Sequence, residues 1–230
     1  MSRIILKISG EALKDINSNV SENKLKVILE TIKLLKKDKH QIGIVVGGGN
    51  FFRGREHSDM NTVTADTIGM LGTVMNALYL KDYLEKNDFK VIVSTPFVFP
   101  DLINNFNDEI LNQKYNEGNI IIFGGGIGKS GYSTDSGTIL AREKLQSDLI
   151  IKMTNVDGVY NCDPKNNPKA YKFDSLTFDE VIKNKYQVMD EYAIIKCKES
   201  QTRILVINFN DYDKLNKYFN GEKIGTIIGE

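Results

Sequence analysis

Short apolar, β-branched runs recur along the chain, separated by longer stretches with helical periodicity. The runs Arg3–Ile8, Gln41–Val46, Lys90–Ser94, Asn119–Phe123, Leu149–Met153 and Arg203–Asn208 have the length and composition of buried strands. Leu25, Ile28, Leu29, Ile32 and Leu35 repeat at three- and four-residue spacing and predict a helix over Asn23–Lys37. Ile68, Leu71, Val74, Met75, Leu78 and Tyr79 predict another over Asp66–Lys86. Further helices are expected at Asn107–Asn116, Asp135–Gln146, Thr177–Lys185, Asp190–Ser200 and Asp211–Phe219, with an edge strand at Thr226–Ile228. Strand–helix alternation implies an α/β protein with a mostly parallel sheet and helices on both faces. A polar loop marked by two prolines, Asn161–Ala170, is too short to divide the chain, so a single domain with two lobes is expected.

Glycines gather where strands end. The first strand runs into Ser9-Gly10-Glu11, the second into Gly47-Gly48-Gly49-Asn50-Phe51-Phe52-Arg53-Gly54, and a middle one into Gly124–Asp135. In open α/β sheets ligands bind beyond the carboxyl ends of strands. Glycine lets backbone N–H groups approach a ligand, and a following helix adds the positive end of its dipole. Three such loops at one sheet edge suggest a ligand with several phosphates. Lys7 and Arg53 are the candidate cations, since a guanidinium forks onto phosphate oxygens. Asp66 and Asp135 each stand where a helix is expected to start, which makes them candidate helix caps as well as candidate site carboxylates.

Two motif matches fail on inspection. Gly128-Lys129-Ser130 ends like a P-loop, but Phe123 stands where that motif needs its first glycine. Gly126–Gly131 fits GxGxxG, yet the chain reads Met153-Thr154-Asn155 where an acidic ribose partner belongs.

Composition narrows the partners. Among 230 residues, 30 Lys and Arg balance 30 Asp and Glu. That argues against duplex DNA or an acidic membrane as a whole-chain partner, while a small anion needs only a few local donors. No apolar run approaches the length of a membrane span. The two cysteines, Cys162 and Cys197, and the two histidines, His40 and His57, fit neither a disulfide framework nor a metal centre. With no signal-peptide pattern at the start, a cytoplasmic setting is expected.

Taken together, the segments Lys7–Leu13, Gly47–Gly54, Asp66–Leu78, Ser133–Ser136, Val156–Tyr160 with Asp163-Pro164, Val188–Asp190 and Gly221–Thr226 resemble the bacterial uridylate kinases of the amino acid kinase fold. The resemblance implies a three-layer αβα sandwich over 1–230, with an acceptor lobe near 1–150 and an ATP lobe near 151–230. It implies transfer of a phosphoryl group from ATP to UMP, with Lys7, Arg53 and Asp135 as the catalytic set. It puts Lys7, Ser9, Gly10, Gly49 and Arg53 on the ATP phosphates, and Thr154, Asn155, Tyr160 and Asp163 along adenine and ribose. It puts Gly48, Asp66, Ile127, Gly128, Lys129, Ser133 and Thr134 around UMP, Asp66 through the ribose hydroxyls. Mg²⁺ is expected with ATP, held mainly by phosphates, with Asp135 as the one candidate protein ligand. A homohexamer activated by GTP and inhibited by UTP is implied in the same way.

The middle loop departs from the family pattern: Ile127 replaces a threonine, Ser130 a proline and Gly131 an aromatic, and Lys129 adds a cation. Another acceptor on the same fold, or a nucleotide-binding regulator, therefore stands as the alternative.

Overall fold

The computed structural model describes residues 2–99, 107–164 and 166–229. Lys165, inside the loop expected at Asn161–Ala170, lies outside the described residues. Strands form on the apolar runs: β1 (Arg3–Ile8), β2 (Gln41–Val46), β3 (Val91–Ser94), β4 (Ile120–Phe123), β5 (Leu149–Thr154), β7 (Arg203–Asn208) and β8 (Thr226–Ile228). A two-residue strand β6 (Ser175–Leu176) joins them; it is too short to leave a pattern in the sequence.

Among the described residues the strands make one eight-stranded sheet, ordered β3-β4-β2-β1-β5-β7-β8-β6. Pairing is parallel except between β7 and β8. The chain winds from β1 outward through β2, then returns to the other side of β1 with β5. The order therefore reverses around β1, the kind of switch point beyond which α/β sheets bind ligands.

Among the described residues seven α-helices cover the sheet: α1 (Glu22–Lys37), α2 (Thr62–Glu85), α3 (Asp108–Asn116), α4 (Thr134–Leu145), α5 (Phe178–Asn184), α6 (Glu191–Glu199) and α7 (Leu215–Phe219). Ile4, Leu6 and Ile8 pack with Ile28, Ile32, Leu80 and Leu215 on the face carrying α1, α2 and α7. Ile5 and Ile150 pack with Leu111, Ile139, Val181 and Ile194 on the face of α3, α4, α5 and α6. The result is the αβα sandwich expected. Each fully buried Ile or Leu contributes roughly 1.5–3 kcal/mol, so the all-buried central strands anchor both layers.

Three helix boundaries depart from the sequence pattern. Asn61 caps α2, accepting from Val63 and Thr64 N–H, so the helix starts at Thr62 and Asp66 lies in its second turn. Ser133 caps α4, and Asp135 is the second helical residue. Neither aspartate is the cap. The helix expected over Asp211–Phe219 is a 3-10 segment, Phe209–Lys214, running into α7. Asn208 accepts from Asn210 N–H there, and this local bond favours the tighter turn.

Candidate active site

β1 and β5 are in register, with Lys7 opposite Lys152. Side chains alternate along a strand. Since Ile5 and Ile150 face α3–α6, Lys7 and Lys152 point to that same face, where α4 begins. Lys7 Nζ lies 2.7 Å from Asp135 Oδ1, with the two side chains only 10% and 17% exposed. Asp135 Oδ2 accepts from Asp190 N–H at 3.1 Å.

Burial alone would raise the Asp135 carboxyl, but the Lys7 and Lys152 ammonium groups outweigh it and hold the pKa below its ordinary value. Burial, with Lys7 alongside, pushes Lys152 down to about 8, against the pull of Asp135 and Asp190. Lys152 Nζ donates to the Val188 carbonyl. Asp190 caps α6 by accepting from Ala193 N–H at 2.8 Å. Its other oxygen accepts from Ser133 Oγ at 2.5 Å and Ser136 Oγ at 3.3 Å. One carboxylate thus joins the starts of α4 and α6.

The glycine loops pack against each other and against α2. A Cβ on Gly10 would meet Gly47 O and Gly49 N at 2.7 Å, so no larger residue fits between the first two loops. A Cβ on Gly48 would meet Gly69 O of α2 at 2.5 Å. Asn76 of α2 donates to Gly47 O at 2.7 Å and pairs with the Asn50 amide. Thr73 Oγ1 accepts from Gly125 N–H at 2.6 Å, tying the middle loop to the same helix.

Arg53 is held by Glu11: Nη2 at 2.6 Å and Nε at 3.0 Å both meet Oε1. Nη1 reaches Glu56 at 3.3 Å. The Glu11 hydrogen bond raises the guanidinium pKa further above its ordinary value.

A cavity opens between these loops and α2. Gly48, Gly49, Arg53, Asp66, Ser133 and Thr134 all line it. Ile127, Gly128 and Lys129 lie outside that lining, the last two exposed on the loop. Lys7 and Asp135 are not in the lining; Asp135 follows the lining residue Thr134 in the chain, and Gly47 N–H donates to Ile8 O, next to Lys7, at 2.9 Å. Ser9 is extended, and its carbonyl accepts from Ala12 N–H as the 3-10 turn Gly10–Leu13 begins.

Thr154, Asn155, Tyr160 and Asp163 are not in the cavity wall. Thr154 ends β5, and the Asn155 carbonyl accepts from Asn208 Nδ2 at 3.1 Å. Tyr160 donates to Asp157 Oδ1 at 2.7 Å, which raises its phenol pKa. Asp163 accepts from Asn166 Nδ2 at 2.7 Å.

The sequence profile of the amino acid kinase family matches residues 2–208. The chain belongs to the amino acid kinase family. Within this family it is similar to the uridylate kinase of Thermotoga maritima, 37% identical over 228 residues that cover 98% of each chain. The uridylate kinase of Thermosipho melanesiensis is 36% identical over 227 residues, covering 98% of this chain and 97% of that protein. The crystal structure of UMP kinase from Bacillus anthracis superposes with a TM-score of 0.94 at 31% identity, covering 99% of this chain and 96% of that one.

Sequence reasoning about this amino acid kinase passes over Lys152 and Glu11. Lys152 carries a signal all the same. It is a lone charge inside the apolar run Leu149–Thr154, as Lys7 is inside residues 4–8. Glu11 leaves none, because its pairing with Arg53 depends on how two loops pack. Among the described residues no helix is long and apolar enough to cross a membrane.

Proposed function

We propose that this chain transfers the γ-phosphoryl group of ATP to UMP, giving ADP and UDP. The observation that carries the reading is the buried Lys7–Asp135 pair at the sheet's switch point, beside a cavity walled by glycine loops, Arg53 and Asp66. That arrangement in a chain so similar to uridylate kinases supports UMP as the acceptor.

Phosphoryl transfer asks for in-line positioning and neutralisation of charge rather than a covalent intermediate. Lys7, held in place by Asp135, meets the transferred group. Arg53, its planar fork held by Glu11, lines the cavity with Gly49. Ser9 and Gly10 add backbone donors to the ATP phosphates. Thr154, Asn155, Tyr160 and Asp163 follow β5 and take the adenine and ribose side. Gly48, Asp66 and the loop through Ile127, Gly128, Lys129, Ser133 and Thr134 take UMP. The acceptor half, roughly 1–150, and the ATP half, roughly 151–230, then act as two lobes of one domain.

A divalent cation accompanies ATP, and we assign magnesium. The residues fit it. Asp135 brings a hard carboxylate oxygen, the donor type magnesium takes, to the place where Lys7 neutralises charge. Among the described residues no group of three or more His, Cys, Asp or Glu is placed to hold a metal. Phosphate oxygens and water therefore complete its coordination. The bound cation supplies neutralisation of charge on the transferred phosphoryl group.

Self-association follows from α2. Leu71, Met75 and Tyr79 are 40–52% exposed and follow one another at four-residue spacing. A second copy covering that stripe is the first step toward a homohexamer, and sedimentation of the full chain reads it directly. GTP activation and UTP inhibition belong to the same proposal, as does a cytoplasmic setting.

Phosphorus NMR of a mixture of protein, magnesium, ATP and UMP tests the reaction. Appearance of the two UDP resonances supports it; ADP and inorganic phosphate alone would overturn it.

A further inference from the structure

The Asp66 carboxylate is held by the loop that follows β4. Ser130 Oγ donates to Oδ2 at 2.6 Å, and Gly131 N–H donates to the same oxygen at 2.7 Å. Both donors come from the loop between β4 and α4. Gly128 and Gly131, at φ of +76° and +86°, give that loop the left-handed turns on either side of Ser130. The two bonds lower the Asp66 pKa, the Ser130 hydroxyl most. Asp66 is thus an anion in the cavity wall, with one oxygen taken by two donors.

A carboxylate only accepts hydrogen bonds. Left to itself it turns about its terminal torsion, which is broad and roughly two-fold. Pinned through Oδ2, it offers Oδ1 in one direction. A ligand that uses Oδ1 must bring a donor there, and a sugar with a vicinal diol does so.

We propose that Ser130 is a specificity-determining positioning residue: it fixes the Asp66 carboxylate so that Oδ1 takes the ribose 2′-hydroxyl, and the site thereby favours a ribonucleoside monophosphate over its 2′-deoxy counterpart. The inference rests on the reading of the cavity as the UMP site. It deepens that reading by assigning sugar selection to a loop residue that does not itself touch the sugar. Gly131 N–H remains when Ser130 is changed, so the carboxylate is loosened rather than released. The effect is graded and falls on the substrate that uses the hydroxyl.

The test compares kcat/KM for UMP and dUMP in the wild type, Ser130→Ala and Ser130→Thr, with calorimetric binding of both nucleotides alongside. Loss of one hydrogen bond to a charged group predicts that the UMP/dUMP ratio falls about tenfold in Ser130→Ala. Ser130→Thr keeps the hydroxyl and retains the wild-type ratio within about twofold. A merely structural role would weaken both nucleotides together, and equal losses in Ser130→Ala overturn the inference, as does an unchanged ratio. A wild type that binds both nucleotides but turns over neither overturns the kinase reading instead; the binding ratio then judges Ser130 by the same criteria. A wild type that binds UMP no better than dUMP overturns the inference outright.

Discussion

Lys7 and Asp135 meet at 2.7 Å although one is the penultimate residue of the first strand and the other the second residue of the fourth helix. The contact exists because β1 and β5 run in register and α4 starts over their carboxyl ends. Breaking a buried pair leaves an uncompensated charge, so Asp135→Asn should cost about 3–5 kcal/mol of folding stability. Losing the group that orients Lys7 should lower kcat/KM about 100- to 1000-fold. Urea unfolding and steady-state kinetics check both, and a fully active, equally stable variant would contradict the assignment. The pH dependence has a defined sign. The Asp135 carboxyl is lowered in the folded protein, so its contribution is complete above about pH 4 and disappears as pH falls. The Asn variant should lack that part of the acid loss.

Arg53 places Nε and Nη2 on one oxygen of Glu11. Lysine has a single nitrogen and cannot reproduce that fork. Arg53→Lys should therefore lower kcat/KM about tenfold or more although the charge is kept. Wild-type kinetics in this variant would mean that the orientation fixed by Glu11 does not matter to the reaction.

Lys129 is exposed on the middle loop, and no ion-pair partner is placed beside it among the described residues. Acting at the rim, it would steer an anionic acceptor through solvent, an interaction that salt screens. Lys129→Ala should raise KM for UMP about threefold near 50 mM salt, with the difference gone near 500 mM. A KM unchanged at both concentrations would remove Lys129 from the acceptor site.

Much of this architecture was legible in residue patterns. The apolar runs located seven strands, and the glycine clusters located the loops that wall the cavity. What escaped depends on long-range packing or on capping. Asp66 reads as a helix start only if Asn61 is overlooked; Asn61 begins the helix one turn earlier, before the apolar periodicity sets in. Asp190 caps α6, and its second oxygen reaches Ser133, a pairing that no local pattern encodes. Lys152 was readable in principle as a charge buried in an apolar strand, yet its role emerges only when the register sets it beside Lys7. Ser130 stands out in sequence as a departure from a family pattern, and only the fold reveals the Asp66 carboxylate that its hydroxyl holds.

The central claim is the reaction itself. A coupled assay of ADP release, with magnesium and ATP and an acceptor panel of UMP, CMP, dUMP and AMP, tests it most directly. The account predicts turnover with UMP well above that with CMP, dUMP or AMP. No UMP-dependent ADP release from folded protein would contradict it.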